Sequence, residues 1–288
     1  DLGTLQDVCN IRVGVQVLWN DAYQIVADKI SDGFIKGHSK IDDDIVIEYD
    51  ACKPLLCNEQ LAPLTKRDYK TFAVFPYDVT DEGEVKDLSF SEFTALYPKA
   101  GAYLEKHKDL ICSTVQTLPE KNKSYNLEEH WHLFTRANNH GAIYPKVCVP
   151  MTAQYPQASV VLDYHVYCDN ANMFFIQVEN ASRKQLYALA AIMNSTIFNT
   201  LARSNPQRGG YYKFNRQFLD PVPFPCKAFV EGKRNIVKLA ETAQQIEQTN
   251  EQIRGVVGGQ TSGLELTLRT LWKQLDDLCL KLYGIKKT

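Results

Sequence analysis

The 288-residue chain has no run of about 18 apolar residues, the length a helix needs to cross a bilayer. Its first residues, DLGTLQDVCN, lack the basic segment and following apolar segment of a secretory signal. Both absences point to a cytoplasmic protein with no membrane partner. None of the eight cysteines, at positions 9, 52, 57, 112, 148, 168, 226 and 279, forms a CxxC pair or stands at zinc spacing from a histidine. Reduced, mostly buried thiols are therefore expected. His130-Trp131-His132 offers two imidazoles but no third ligand at a recognisable spacing, so no metal site is expected. The chain also starts without Met, which suggests a piece excised from something longer.

Motifs for chemistry are missing as well. Val13-Gly14-Val15 and Gly258-Gly259 are too short for a dinucleotide or S-adenosylmethionine loop, and no G-x-S-x-G elbow or phosphate-binding loop occurs. Phe75-Pro76-Tyr77-Asp78 lacks the leading amide or carboxylate, and the second proline, of an Asn/Asp-Pro-Pro-Tyr loop that would orient an exocyclic amine. Catalysis by this chain alone is not expected, and neither is a cofactor within it.

The most informative shortage is of acids. With 34 acids in 288 residues and a net charge of −2, a stretch as long as Asn180 to Leu219 should hold about five, yet it holds none. It carries instead Arg183, Lys184, Arg203, Arg208, Lys213 and Arg216. His130 to Leu162 is also free of acids and adds Arg136 and Lys146, whereas Asp28 to Asp50 and Asp78 to Glu92 are acid-rich. This partition implies a molecule with one basic face. Within it, Arg203 to Pro225 combines the Gly209-Gly210 pair with Tyr211, Tyr212, Phe214 and Phe218, and such a cationic, aromatic loop can follow a phosphate backbone and reach bases. Arg136, Asn138, Asn139 and His140 form a second polar loop, in which the arginine suits guanine and the amides suit adenine, although Asn and Gly also simply favour turns.

Periodicity supplies the frame. IRVGVQV, YQIVA, GFIKGH and IVIEY alternate and are β-branched, giving a strand-rich opening with Arg12, Gln16 and Asn20 as polar contacts. KTFAVFPYD is a strand ending in Pro76, and Ser89 to Gln116 is helical with an interruption near Pro98. IYPKVCV, SVVLDYHVY and NMFFIQVE are strands, followed by a helix from Arg183 to about Ala202 with Leu186, Leu189, Ala190, Met193, Ile197 and Leu201 on one buried face. Ile236, Leu239, Ala243, Ile246 and Ile253, then Leu264, Leu268, Leu271, Leu275, Leu278 and Leu282, are heptad-spaced and predict an antiparallel helical hairpin, with Ser262 and Glu265 as a capping box. The expected fold is α+β, with a mixed body over 1–228 and the hairpin over 229–288.

In order, LGTLQDVCNIRVGVQ, IEYDACKPLLCNEQL, FPYD with YPKAGAYLEKHKDLI, WHLFTR with YPKVCVP, ALAAIMNSTIFNTL, GGYYKFNRQFLDPVPFP and LDDLCLKLYGI resemble the TaqI-like C-terminal specificity domain. This is the target-recognition domain of adenine-N6 DNA methyltransferases and fused restriction-modification enzymes. The sequence departs from it at His132, where a Tyr is usual, and at Ile111-Cys112, where a basic residue is common. The resemblance implies double-stranded DNA as partner, and a separate N-terminal methyltransferase domain that holds S-adenosylmethionine and flips the adenine. The DNA-binding candidates are Arg136, Asn138, Asn139, Lys146, Arg203, Arg208, Tyr211, Tyr212, Lys213 and Arg216, with Arg136 and Arg208 as base readers and Lys213 and Arg216 as phosphate clamps. The alternatives are half of a type I specificity subunit and an interaction module dimerising through its heptad helices.

Overall fold

A computed structural model of the chain describes residues 2–17, 19–57, 61–65, 68–116, 127–134, 139–169, 172–203, 210–257 and 259–285. The strand-rich opening forms most of a six-stranded sheet in the order Tyr167–Cys168, Cys52–Leu56, Thr71–Val74, Gln24–Ser31, Phe34–His38, Ile45–Glu48. All pairings in it are antiparallel except that of Tyr167–Cys168 with Cys52–Leu56. One face of this sheet buries Tyr23, Ile25, Phe72 and Phe75 against Phe93, Tyr103 and Leu104 of the following helices and against Trp131 and Phe134. Those helices are three, Phe90–Leu96, Pro98–Lys106 and Lys108–Gln116. Ser89 and Glu92 make a reciprocal capping box on the first, and Pro98 opens the second at the position where its missing N–H costs nothing. Glu48, at the end of the sheet's edge strand, accepts from both Lys99 N and Ala100 N at 2.9 Å, which fastens that second helix to the sheet.

The second sheet has four antiparallel strands in the order Ser159–Val161, Lys146–Pro150, Met173–Gln177, Asn10–Val13. Its two central strands are almost wholly buried because both faces are covered. Against one face lies the helix Arg183–Asn194, and against the other a small cluster that includes Leu56, Cys148, Cys168, Met173 and Phe175 and joins the two sheets. The chain crosses from one sheet to the other at Gly14. Val15 N donates to Cys168 O at 2.8 Å, and a Cβ on Gly14 would stand 1.9 Å from that same carbonyl, so only glycine allows the crossing.

Every residue of the helix from Leu186 to Met193 is buried, which a single apolar face does not require. The sheet covers one side, and the hairpin Arg234–Gly255 and Ser262–Leu282 covers the other through Ile236, Leu239, Ala243, Ile246, Leu271, Leu275 and Leu278. Most of both heptad faces is thus spent within the chain, with Ile253 and Leu264, near the hairpin's turn, only partly buried.

Several sequence expectations need correction. The helix does not run unbroken to Ala202; Ser195 interrupts it and caps a second helix, Thr196–Ala202, through its hydroxyl to Phe198 N. SVVLDYHVY is not one strand, because a turn with His165 at φ +57° sends its two ends into different sheets. The strand before Pro76 stops at Val74, and Tyr77–Val79 pairs separately with Val85–Asp87. Ser262 does not form the capping box either: the N-cap is Thr261, whose hydroxyl donates to Glu265 at 2.7 Å. The α+β class holds.

Lys146 is the main correction to the candidate site. Its side chain is not on the surface but 1% exposed, between the two sheets. The ammonium donates to Ala142 O and, at 2.8 Å, to Val166 O, and lies within 6 Å of the rings of Tyr144, Tyr167 and Phe175. Burial pushes this ammonium below the ordinary lysine value. It is a cross-brace and not a DNA contact; an acid-free stretch reports only that no carboxylate is near in sequence.

Two stability tests follow from these contacts. Lys146→Ala empties the brace and leaves two buried carbonyls without donors, so chemical denaturation should show a loss of about 3–5 kcal/mol, with the folded fraction keeping its duplex affinity. Asp276 reaches from the hairpin to accept from Thr196 N at 2.8 Å and Thr196 Oγ1 at 2.7 Å, capping the short helix from outside. Asp276→Ala should cost about 1–2 kcal/mol in the same measurement.

Candidate nucleic-acid interface

The end of the strand Lys146–Pro150 leaves the four-stranded sheet and continues as Thr152–Ala153, which pairs with Tyr212–Lys213 in a two-stranded antiparallel ribbon. Its register is Thr152 opposite Lys213 and Ala153 opposite Tyr212. Alternation decides what each residue does. Phe214 is fully buried in the main core, and its N–H donates to Met151 O at 2.9 Å, which anchors the ribbon to the sheet. Lys213, its neighbour, is consequently exposed. Tyr212 is half-buried against the core with the Arg203 guanidinium over its ring, 5.4 Å from the centroid. Tyr211 is 46% exposed. Gly210, at φ +77°, sets the left-handed turn by which the chain enters the ribbon.

After the ribbon, Asn215 precedes the one-turn helix Arg216–Leu219. Arg216 is largely exposed, with Nε donating to Asp220 at 2.8 Å. That pairing removes part of its charge but leaves the rest of the guanidinium fork facing outward. Leu219, Val222 and Phe224 are buried, so the exit segment belongs to the core and the contact surface ends at Arg216. Arg203, Tyr211, Tyr212, Lys213 and Arg216 are thereby brought to one ribbon and its flanks, with Asp220 the acid among them.

The second loop is divided. Arg136 and Asn138 lie outside the described residues, as does Arg208 of the first. Asn139 is described, at φ +60°, and both ends of its amide are engaged: Nδ2 donates to Val13 O at 2.8 Å and Oδ1 accepts from Arg12 Nη1 at 3.4 Å. It holds the edge strand Asn10–Val13 and is not presented for bidentate pairing with adenine. His140 is buried among Phe75, Tyr77 and Phe134. His132 is buried too, with Nε2 2.8 Å from Leu88 O, and burial lowers its pKa. Arg12 stands out in sequence only as a polar residue in an opening strand; its link to Asn139 spans 127 positions and has no local signal.

The acid-rich stretch Asp28 to Asp50 builds the far strands of the six-stranded sheet, and Asp78 to Glu92 the ribbon and helix start beside it. The acid-free stretches build two of the four strands of the second sheet, Lys146–Pro150 and Ser159–Val161, with the helices Arg183–Asn194 and Thr196–Ala202 and the ribbon.

No family model matches the chain, and no curated protein matches it. Among solved structures, the crystal structure of the type IIG restriction endonuclease BpuSI is similar at a TM-score of 0.43 and 14% identity, over 98% of this chain and 32% of that one. The chain spans about a third of the length of that protein. A likeness this slight carries no argument, and the TaqI-like resemblance rests on the sequence pieces alone.

Proposed function

We propose that this chain recognises a specific sequence in double-stranded DNA, as the target-recognition part of an adenine-N6 DNA methyltransferase or restriction-methyltransferase. Its task would be to place the target adenine for a catalytic domain that is not in this chain and that would hold S-adenosylmethionine. The observation that carries this reading is the anchored ribbon. A buried Phe214 fixes its position, and Tyr211, Lys213, Arg203 and Arg216 project from it or its flanks in a stretch without acids before Asp220. Exposed tyrosine and fork-shaped cations on a rigid two-stranded element suit phosphate contact and base-edge contact together. The ordered sequence pieces supply the adenine-methyltransferase context. Dimerisation through the heptad helices is disfavoured, since Leu271, Leu275 and Leu278 are already buried within the chain.

The test is duplex binding as a function of salt, with the preferred site obtained by selection from random duplexes. Lys213→Ala with Arg216→Ala should weaken binding to all sequences alike and reduce the salt slope by about two, while Arg208→Ala should mainly erase preference at one base pair. Unchanged affinity and slope in the double variant would remove the ribbon from the interface. Sedimentation of the chain alone should give a monomer, and a DNA-independent dimer would favour the interaction module.

A further inference from the structure

Arg12 sits in the edge strand Asn10–Val13, opposite Phe175 in the register. Its neighbour Ile11 is buried in the core beneath the helix Arg183–Asn194, so alternation turns Arg12 to the other face of the sheet, where it is exposed. Among the described residues no carboxylate pairs with it. Its hydrogen-bond partner among those residues is the Asn139 amide oxygen, a neutral acceptor, and the amide is pinned in turn by its Nδ2 bond to Val13 O. The Asn139 backbone is held as well: its carbonyl accepts from Ala142 N at 3.0 Å, closing the turn at φ +60°. Tyr144 lies near enough for the Arg12 charge to oppose the upward push that burial gives its phenol.

Among the described residues the exposed guanidinium thus has N–H donors to spare, while its hydrogen bond to Asn139, at 3.4 Å, biases its direction. A structural arginine would be neutralised; one meant only for phosphate would not need orienting. Resting on the DNA-recognition reading above, we propose that Arg12 is a base reader that forks onto guanine in the major groove, and that Asn139 is its positioning residue. Asn139 then contributes to specificity without touching DNA.

The experiment measures affinity of the full chain for a panel of single-base-pair variants of the selected duplex, at several salt concentrations. Arg12→Lys keeps the charge and loses the fork, so it should lower discrimination at one G·C pair by roughly ten- to a hundredfold with little change in salt slope. Asn139→Gly preserves the left-handed backbone and deletes the amide; it should lower discrimination at the same pair, while the lost bond to Val13 O lowers the melting temperature by only a few degrees. The combined variant should be no worse at that pair than Arg12→Lys alone, the non-additivity of two residues acting as one. A uniform loss with a slope reduced by about one in Arg12→Ala would make Arg12 a phosphate contact and overturn the proposal, as would discrimination unaltered in Arg12→Lys. If the parent chain binds the duplex and the ribbon variants weaken it while the Arg12 variants do not, only this inference fails. If the parent chain binds no duplex at any salt, the recognition reading itself fails, and this proposal with it.

Discussion

The architecture depends on the burial of one helix on all sides. From Leu186 to Met193 every side chain of Arg183–Asn194 is out of water, and at about 1.5–3 kcal/mol for each large apolar residue no single packed face would supply that. The helix therefore needs both the four-stranded sheet and the C-terminal hairpin, and neither can be removed without exposing it. The hairpin is thus a structural lid on the core as well as the chain's last element. Phe214 enters the same core from the ribbon, so the ribbon proposed as the contact surface is anchored to the core that buries the helix. Precision of this kind separates sequence reading from mere attraction to phosphates, since a base contact displaced by an ångström is lost while a phosphate contact survives.

Cations in this protein divide by what surrounds them and not by where they stand in the sequence. Lys146 and Lys213 both fall in acid-free stretches beside aromatic residues. One points between two sheets, where carbonyls and ring faces take the place of a counterion. The other lies on a two-stranded ribbon opposite Thr152, on an exposed face. The difference arises because a strand covered on both faces has no outward position, and Lys146–Pro150 is such a strand, buried at every residue. Thr152–Ala153, a few residues on, has left the sheet and regains an exposed face.

Much of this was legible in the sequence for the same reason that it is stable: long apolar periodicities must be covered. The hairpin heptads, the β-branched opening and the strand read in NMFFIQVE all correspond to elements. Local polar choices were less legible. Ser195 could have continued a helix, and its hydroxyl instead ends one and starts another. Glu265 has Ser262 and Thr261 within reach, and the geometry selects Thr261. Asn139 could read as a turn residue or an adenine partner; its contacts with Val13 and Arg12 exist only once the tertiary fold brings residues more than a hundred positions apart together. Such long-range pairings leave no periodic trace.

A net charge of −2 does not by itself exclude a polyanionic partner, because the fold sets one acid cluster apart. Asp42, Asp43 and Asp44 lie in the turn before Ile45–Glu48, the far edge of the six-stranded sheet. Five strand spacings divide that edge from Tyr167–Cys168, where this sheet meets the other, which at about 4.8 Å each is roughly 24 Å. The Debye length near physiological salt is about 8 Å. Those acids are then screened several-fold before they reach the four-stranded sheet, so on the proposed function a duplex lying along the ribbon would respond to Arg203, Lys213 and Arg216 more than to the chain total.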